Sequence, residues 1–315
     1  MADITGIPVV DFSAYSLNRG SADNNEIENL IEGVNNALTS IGFLYLVNHG
    51  IPQSEIDNAF TKSRKFFELP KDVKMKYKRP DKSPSNHGYV ECEREKLNPN
   101  RPGDLKECFN YGPKDATGKM PDEEVQDFTF CLVNFFDKCR QLSNRVLEVM
   151  ARGLNLEDPY LFVKAHEGIG GPDNDSAMRL LYYPPVPENV DIDQVRCGEH
   201  SDYGSITLLF QDSQGGLEVQ VKDGDFIPAT PIDGAVVVNI GDLMQRWTSD
   251  RFVSNVHRVV LPKTEDAGRS PRQSIAFFHN SDNMYVVRCV DGSDKYPPIA
   301  TSLYLQQKFS ATYKY

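Results

Sequence analysis

The sequence predicts a mainly β fold with flanking helices, and two patterns carry that reading. Before about residue 176, apolar residues recur mostly at helical intervals. After it, short runs of β-forming residues alternate with Gly, Asp, Pro and Ser. Seven or more short strands punctuated in this way signal a sandwich or barrel. The chain has 315 residues, 39% hydrophobic and 25% charged, which predicts a globular protein with a sizeable core.

In order along the chain, IPVVDF (7–12) is a short apolar run suited to a strand. Ile27, Leu30, Ile31, Val34, Leu38 and Ile41 follow at three- and four-residue intervals, the spacing of an amphipathic helix. GFLYLVNHGI (42–51) reads as a strand ending in a turn, and 53–68 returns to helical spacing through Ile56, Phe60, Phe66 and Phe67. The span 78–120, rich in Pro, Lys, Asn and Gly, predicts long loops able to lie over a site. A long helix is predicted over 122–153, where residues from Val125 to Met150 keep one face apolar, and a second follows Asp158-Pro159. The predicted strands are then MRLLYY (178–183), SITLLF (205–210), LEVQV (217–221), AVVVNI (235–240), VSNVHRVVL (253–261), QSIAFF (273–278) and MYVV (284–287). The last stretch, 301–313, is helical again. This divides one unit (1–315) into a helix-rich part (1–175), a β core (176–300) and a C-terminal helix (301–315). The terminal helices need the sheet to bury against, so 176 is not a clean domain boundary.

A net charge of −11 argues against nucleic acid or an anionic membrane surface as the main partner. An anionic small ligand then requires a locally basic pocket. The six cysteines are scattered with no C-x-x-C pair, so zinc or redox work is not indicated. No secretory leader or membrane-spanning run is read, and a reduced, cytoplasmic setting is the expectation.

The chemistry-bearing residues are sparse. Six histidines are present: His49, His87, His166, His200, His257 and His279. In CGEHSDYGS (197–205), His200 and Asp202 are two apart, so in an extended chain both side chains leave one face. Taken alone, such a pair is usually a polar turn. His257 lies in a strand-like run downstream, after enough strands to circle a barrel and return. Two imidazoles and a carboxylate on one face of a metal are the ligand set of non-haem Fe(II) oxygen chemistry. An independent signal comes from SPRQSIAFFHN (270–280), where Arg272 and Ser274 share a face at the start of an apolar strand. A buried arginine is costly unless it meets an anion, and a guanidinium beside a hydroxyl suits a carboxylate. The strands holding His257 and Arg272 are joined by the single loop PKTEDAGRS and are expected to pair as antiparallel neighbours. Glu199 alternates onto the opposite face from His200.

The set HSD…HRV…RQS resembles the Fe(II)/2-oxoglutarate-dependent dioxygenases, in the branch of isopenicillin N synthase and the plant-type hydroxylases and desaturases. IPVVDF, GFLYLVNHGI, FFELPKDVK, DLKECFNYG, GGLEVQ, VVVNIGDLMQRWTSDRF and HRVV look like blocks of that family in its order, from about residue 6 to 310. The resemblance implies a double-stranded β-helix (jelly-roll) core. It implies iron ligands at His200, Asp202 and His257, and a 2-oxoglutarate anchor at Arg272 and Ser274 with Tyr183 of the YYPP stretch. It further implies O2 as oxidant, ascorbate as a candidate reductant, and oxidation of a small molecule by hydroxylation, desaturation or ring closure, with release of succinate and CO2. The chain is expected to act as a monomer. It departs from the plant-type N-Y-Y-P pattern at Leu181, which removes any polar contact from that position. Other uses of the same residues stay open: a 2-oxoglutarate-independent oxidase like isopenicillin N synthase, a non-catalytic sensor of iron or 2-oxoglutarate, or a cupin, against which the N-terminal blocks argue.

Further residues are weighed as substrate contacts. His87, Tyr89, Phe109 and Tyr111 fall in the loop-rich segment, and Trp247 and Phe278 are candidates for lining a cavity. His49 reads as a packing or turn residue and His166 as a solvated or capping one. Arg179 faces either cavity or solvent.

Overall fold

The computed structural model describes residues 6–20, 24–80, 86–98, 100–113, 118–191, 193–221, 224–262 and 268–312. The strands are β1 (Val9–Asp11), β2 (Phe43–Val47), β3 (Gly88–Val90), β4 (Glu107–Tyr111), β5 (Ala177–Tyr183), β6 (Cys197–His200), β7 (Ile206–Gln211), β8 (Leu217–Gln220), β9 (Phe226–Pro228), β10 (Val236–Ile240), β11 (His257–Val259), β12 (Arg272–His279), β13 (Val286–Val287) and β14 (Ile299–Ala300). The helices are α1 (Asn24–Ser40), α2 (Gln53–Phe67), α3 (Lys71–Lys74), α4 (Phe128–Gly153), α5 (Leu161–Lys164), α6 (Asp242–Trp247) and α7 (Thr301–Thr312).

Eight strands form the main sheet in the order β1-β2-β10-β7-β12-β5-β4-β3, and four form a smaller one, β6-β11-β8-β9. Side chains from the facing surfaces of both sheets share one core, including Leu181, Tyr183 and Ala276 from the main sheet with Cys197, Leu217 and Val259 from the smaller. This is the jelly-roll expected. The other face of the main sheet is covered by helices. Along α4, Leu132, Phe135, Phe136, Cys139, Leu142 and Val146 keep the buried stripe that their spacing predicts. They pack with Leu180, Leu208, Phe210, Ile275 and Phe277 in the larger core. A sheet covered on both faces loses the polar–apolar alternation of a half-exposed one, which is why IAFF (275–278) reads as continuous apolar sequence.

Two expectations are corrected. The span 78–120 is not only loop: β3 and β4 pair with each other, and β4 with β5, extending the main sheet. Composition misled because these strands have few residues of their own and gain their hydrogen bonds from a neighbour distant in sequence. Second, β11 and β12 do not pair. The first lies between β6 and β8 in the smaller sheet, the second between β7 and β5 in the main one. Consecutive strands of a two-sheet fold often switch sheets, so their site residues meet across the interior. Part of the connection, 263–267, lies outside the described residues. The long helix starts at Phe128 rather than 122, and the C-terminal one is described to Thr312.

Candidate active site

The β6–β11 ladder places His257 directly opposite His200. Asp202 lies just beyond the end of β6. One ligand atom from each of His200, Asp202 and His257 lies within 4.8 Å of the other two. The two rings are 4.3 Å apart between centroids, and His257 Nε2 is 3.9 Å from Asp202 Oδ1. Backbone carbonyls fix both tautomers. His200 Nδ1 donates to the Gly198 carbonyl at 2.8 Å and His257 Nδ1 to that of Asn255 at 3.2 Å. Each Nε2 is left with a lone pair. Burial, followed by the neighbouring His257, lowers the His200 pKa to about 3, so it stands ready as a neutral ligand.

Burial alone would raise the Asp202 pKa, but the two imidazoles and hydrogen bonds from Asn239 and Thr207 hold it below the usual range. Both bonds reach the same oxygen: Thr207 Oγ1 donates to Oδ2 at 2.6 Å and Asn239 Nδ2 at 2.7 Å. Oδ1 remains for a metal. These two residues escaped sequence reasoning. A signal existed at Asn239, an amide interrupting the apolar run VVVNI, since a buried polar group requires a partner.

Across the interior, Arg272 is 1% exposed. Its Nε donates to the Gly215 carbonyl at 2.7 Å, its terminal nitrogens to Ser274 Oγ and Gln211 Oε1 at 3.2 Å each, and its Cζ lies 4.8 Å from the Tyr183 ring centre. Among the described residues no carboxylate comes within ion-pair distance of it. Arg196 is buried nearby and its pKa is lowered, first by burial and then by Arg272. A buried cation with only neutral acceptors, beside a second one, is suited to an anion.

His200, Asp202, His257, Arg272, Ser274 and Tyr183 all line one cavity. Phe278, Leu181 and Arg179 line it too, so Phe278 stands where expected and Arg179 faces the cavity. Arg179 binds Glu95 at 3.0 Å and Asn110 at 2.7 Å, while Lys106, also on the wall, meets Asp104 at 2.5 Å and Glu95 at 3.5 Å. Burial raises the Glu95 pKa, but Arg179 and Lys106 outweigh it and bring it to about 2. Glu199 faces away, held by Arg101 and Arg258.

The other substrate candidates are not at this cavity. Tyr89, Phe109 and Tyr111 sit on β3 and β4 with their side chains in the helical core, and Phe109 meets Phe66 and Phe128 edge-on. His87 is buried against Phe109 and Tyr111. Trp247 is buried against Phe162 and Tyr285. Alternation explains the strand residues, because pairing of β3 with β4 and of β4 with β5 turns their odd-numbered side chains toward the helices. His166 is 1% exposed rather than solvated, bonded to the Phe162 carbonyl and Ser205 Oγ, while the turn residue His49 accepts from Ile51 N–H. A larger groove, about 570 Å³, is lined by Ile56, Phe60, Phe210 and Gln273 among others, and contains none of the candidate ligands.

Two imidazoles and one carboxylate converging on a cavity could hold a single metal ion, and nitrogen and oxygen donors of this kind suit Fe(II). Comparison with known proteins narrows the class. A family model described as the 2OG-Fe(II) oxygenase superfamily matches residues 174–281, and one described as the non-haem dioxygenase in morphine synthesis N-terminal region matches 7–130. The 2-oxoglutarate-Fe(II) type oxidoreductase ppzD of Metarhizium rileyi is 31% identical, over 98% of this chain and 91% of that protein. Proline hydroxylase buaE of Petromyces alliaceus is 36% identical over 77% of this chain and 78% of its own. A full-length Neurospora crassa protein, crystallised in complex with alpha-KG, is 36% identical, with a TM-score of 0.86 over 98% of this chain and 96% of that one. The same Neurospora crassa protein has been crystallised with alpha-KG and thymine. The chain belongs to the Fe(II)- and 2-oxoglutarate-dependent oxygenase family. It is an enzyme that oxidises a small molecule using Fe(II), 2-oxoglutarate and O2. Among the described residues no helix is long and apolar enough to cross a membrane.

Proposed function

We propose that His200, Asp202 and His257 hold the Fe(II), that Arg272 with Ser274 and Tyr183 takes the far carboxylate of 2-oxoglutarate, and that the substrate is a small, uncharged, polar ring of pyrimidine-base size. The observation that carries this reading is the position of a buried guanidinium, met only by neutral acceptors, on the same cavity as the three convergent ligand atoms. The chemistry supplied by iron, when bound, is O2 activation coupled to conversion of 2-oxoglutarate into succinate and CO2.

The protein's own residues do the rest. Gly198 and Asn255 orient the imidazoles, Thr207 and Asn239 leave one carboxylate oxygen free, and Arg272 orients the cosubstrate by its far end. Phe278 and Leu181 offer an apolar face to the substrate. The polar wall carries no excess charge, because Arg179 and Lys106 are matched by Glu95 and Asp104. Such a wall favours a neutral molecule rich in donors and acceptors, and the thymine complex of the Neurospora crassa relative supports this choice.

Anaerobic loading with Fe(II) and 2-oxoglutarate, followed by a succinate assay, tests the reading. Thymine or 5-formyluracil should trigger succinate release; release with free proline and with no pyrimidine would overturn the substrate assignment. His200→Ala, Asp202→Ala and His257→Ala should each abolish turnover and metal retention. A variant of the three that decarboxylates 2-oxoglutarate at the wild-type rate would refute the ligand set. Arg272→Ala should raise the 2-oxoglutarate KM by ~10-fold or more, the scale of a lost charge-assisted hydrogen-bond pair. An unchanged KM would place the anchor elsewhere.

A further inference from the structure

The β6–β11 ladder ends at the His200–His257 pair. Beyond it no ladder pairing joins the two chain segments, and Asp202 lies on the unpaired stretch. Both segments are hydrogen-bonded to Asp242, the first residue of α6. Ser201 Oγ, between the two ligands of one segment, donates to Asp242 Oδ2 at 3.0 Å. Ser254 Oγ, three residues before His257, donates to Oδ1 at 2.7 Å. The Asp242 backbone N–H donates to the Asp202 carbonyl at 2.7 Å, and the next one, Leu243 N–H, to that of Tyr203 at 3.1 Å.

A third partner comes from the far end of the chain. Lys308 on α7 donates to Asp242 Oδ2 at 2.5 Å, and its Nζ lies 5.9 Å from the Tyr203 ring centre. Phe309 adds an edge-on contact to the same Tyr203, at 5.5 Å. One carboxylate thus joins the Asp202 segment, the His257 segment and the C-terminal helix. The Asp242–Lys308 pair is partly shielded, with side chains 14% and 36% exposed.

Resting on the ligand assignment above, we propose that Asp242 is a positioning residue that sets Asp202 against the His200–His257 pair, and that Lys308 makes metal retention depend on the docked C-terminal helix. The effect acts through Ser201 and Ser254; Asp242 does not line the cavity itself. Positioning groups behind metal ligands commonly govern affinity in this way.

The test uses the full-length protein, stripped of metal and titrated anaerobically with Co(II), whose visible absorption reports both occupancy and coordination geometry. Asp242→Asn should weaken Co(II) binding by ~10- to 100-fold and alter the absorption band. Lys308→Met should cause a smaller loss, and the double variant should lose no more than Asp242→Asn alone, as expected for residues acting through one contact. Thermal melts accompany each titration. Lowered melting temperatures with wild-type Co(II) affinity and band shape would overturn the proposal, leaving a structural role only. If Asp242→Asn fails to fold, Lys308→Met and Ser254→Ala decide the matter by the same criteria. His257→Ala separates the two levels. If it still binds Co(II) as wild type does, the ligand assignment falls; if it loses binding while Asp242→Asn keeps it, this proposal alone falls.

Discussion

The two oxygens of Asp202 are not equivalent, and neighbouring strands make them so. Thr207 on β7 and Asn239 on β10 are direct partners in the ladder and both donate to Oδ2. With one oxygen committed to two donors, the carboxylate would hold the proposed Fe(II) through the other alone. Thr207→Val preserves shape and removes one donor. It should weaken Fe(II) binding by ~10- to 100-fold in a competition titration, the usual range for such partners. Thr207→Ser, which keeps the hydroxyl, should bind nearly as wild type. Wild-type affinity in the valine variant would show that the threonine is packing rather than orientation.

At the scale of one element, β12 works on two faces. Arg272, Ser274, Ala276 and Phe278 line the cavity, whereas Ile275 and Phe277 enter the helical core. Phe277 is fully buried, with its ring 4.9 Å from that of Phe136. Phe277→Ala should cost ~3–5 kcal/mol of stability, the range for emptying a buried phenylalanine site. Phe278→Ala, at a partly buried side chain, should lower the urea midpoint less than Phe277→Ala does and raise the substrate KM. The reverse pattern would mean that the faces are misassigned. The same periodicity made Arg272 and Ser274 legible in the sequence, just as helical spacing revealed α1, α2 and α4. What stayed illegible depends on long-range pairing. Phe109 and Tyr111 became core only because β5 recruits β4, and no local pattern announces that. His166 is the helix-end residue expected, bonded to the Phe162 carbonyl of α5, but the Ser205 hydroxyl just before β7 closes over its ring and it is buried rather than solvated.

Across the whole molecule, function and acid stability draw on groups buried in defined charge states. Burial lowers the His166 pKa to about 4, against weaker opposition from the Phe162 carbonyl and Asp282, and pushes that of His279 well below its usual value. A base with a depressed folded pKa is protonated first in the unfolded state. Between the ordinary histidine value of 6.5 and about 4, the unfolded chain therefore binds more protons, and stability falls as pH falls. The carboxylates act in a lower window. Glu95 and Glu199 are both held at about 2, from an ordinary 4.5, so their contribution is complete above 4.5 and disappears as pH drops toward 2. Urea unfolding at stepped pH should accordingly show a plateau above pH 6.5 and successive declines below it. His166→Gln removes one contributor to the upper window, which His279 and His200 share, and His166 lies outside the candidate ligand set. Each tenfold change in proton affinity is worth about 1.4 kcal/mol, so the wild type should lose about 3 kcal/mol more than the variant on going from about pH 7 to about pH 4. Parallel stability curves for the two proteins would mean that this histidine is protonated in the folded state without penalty.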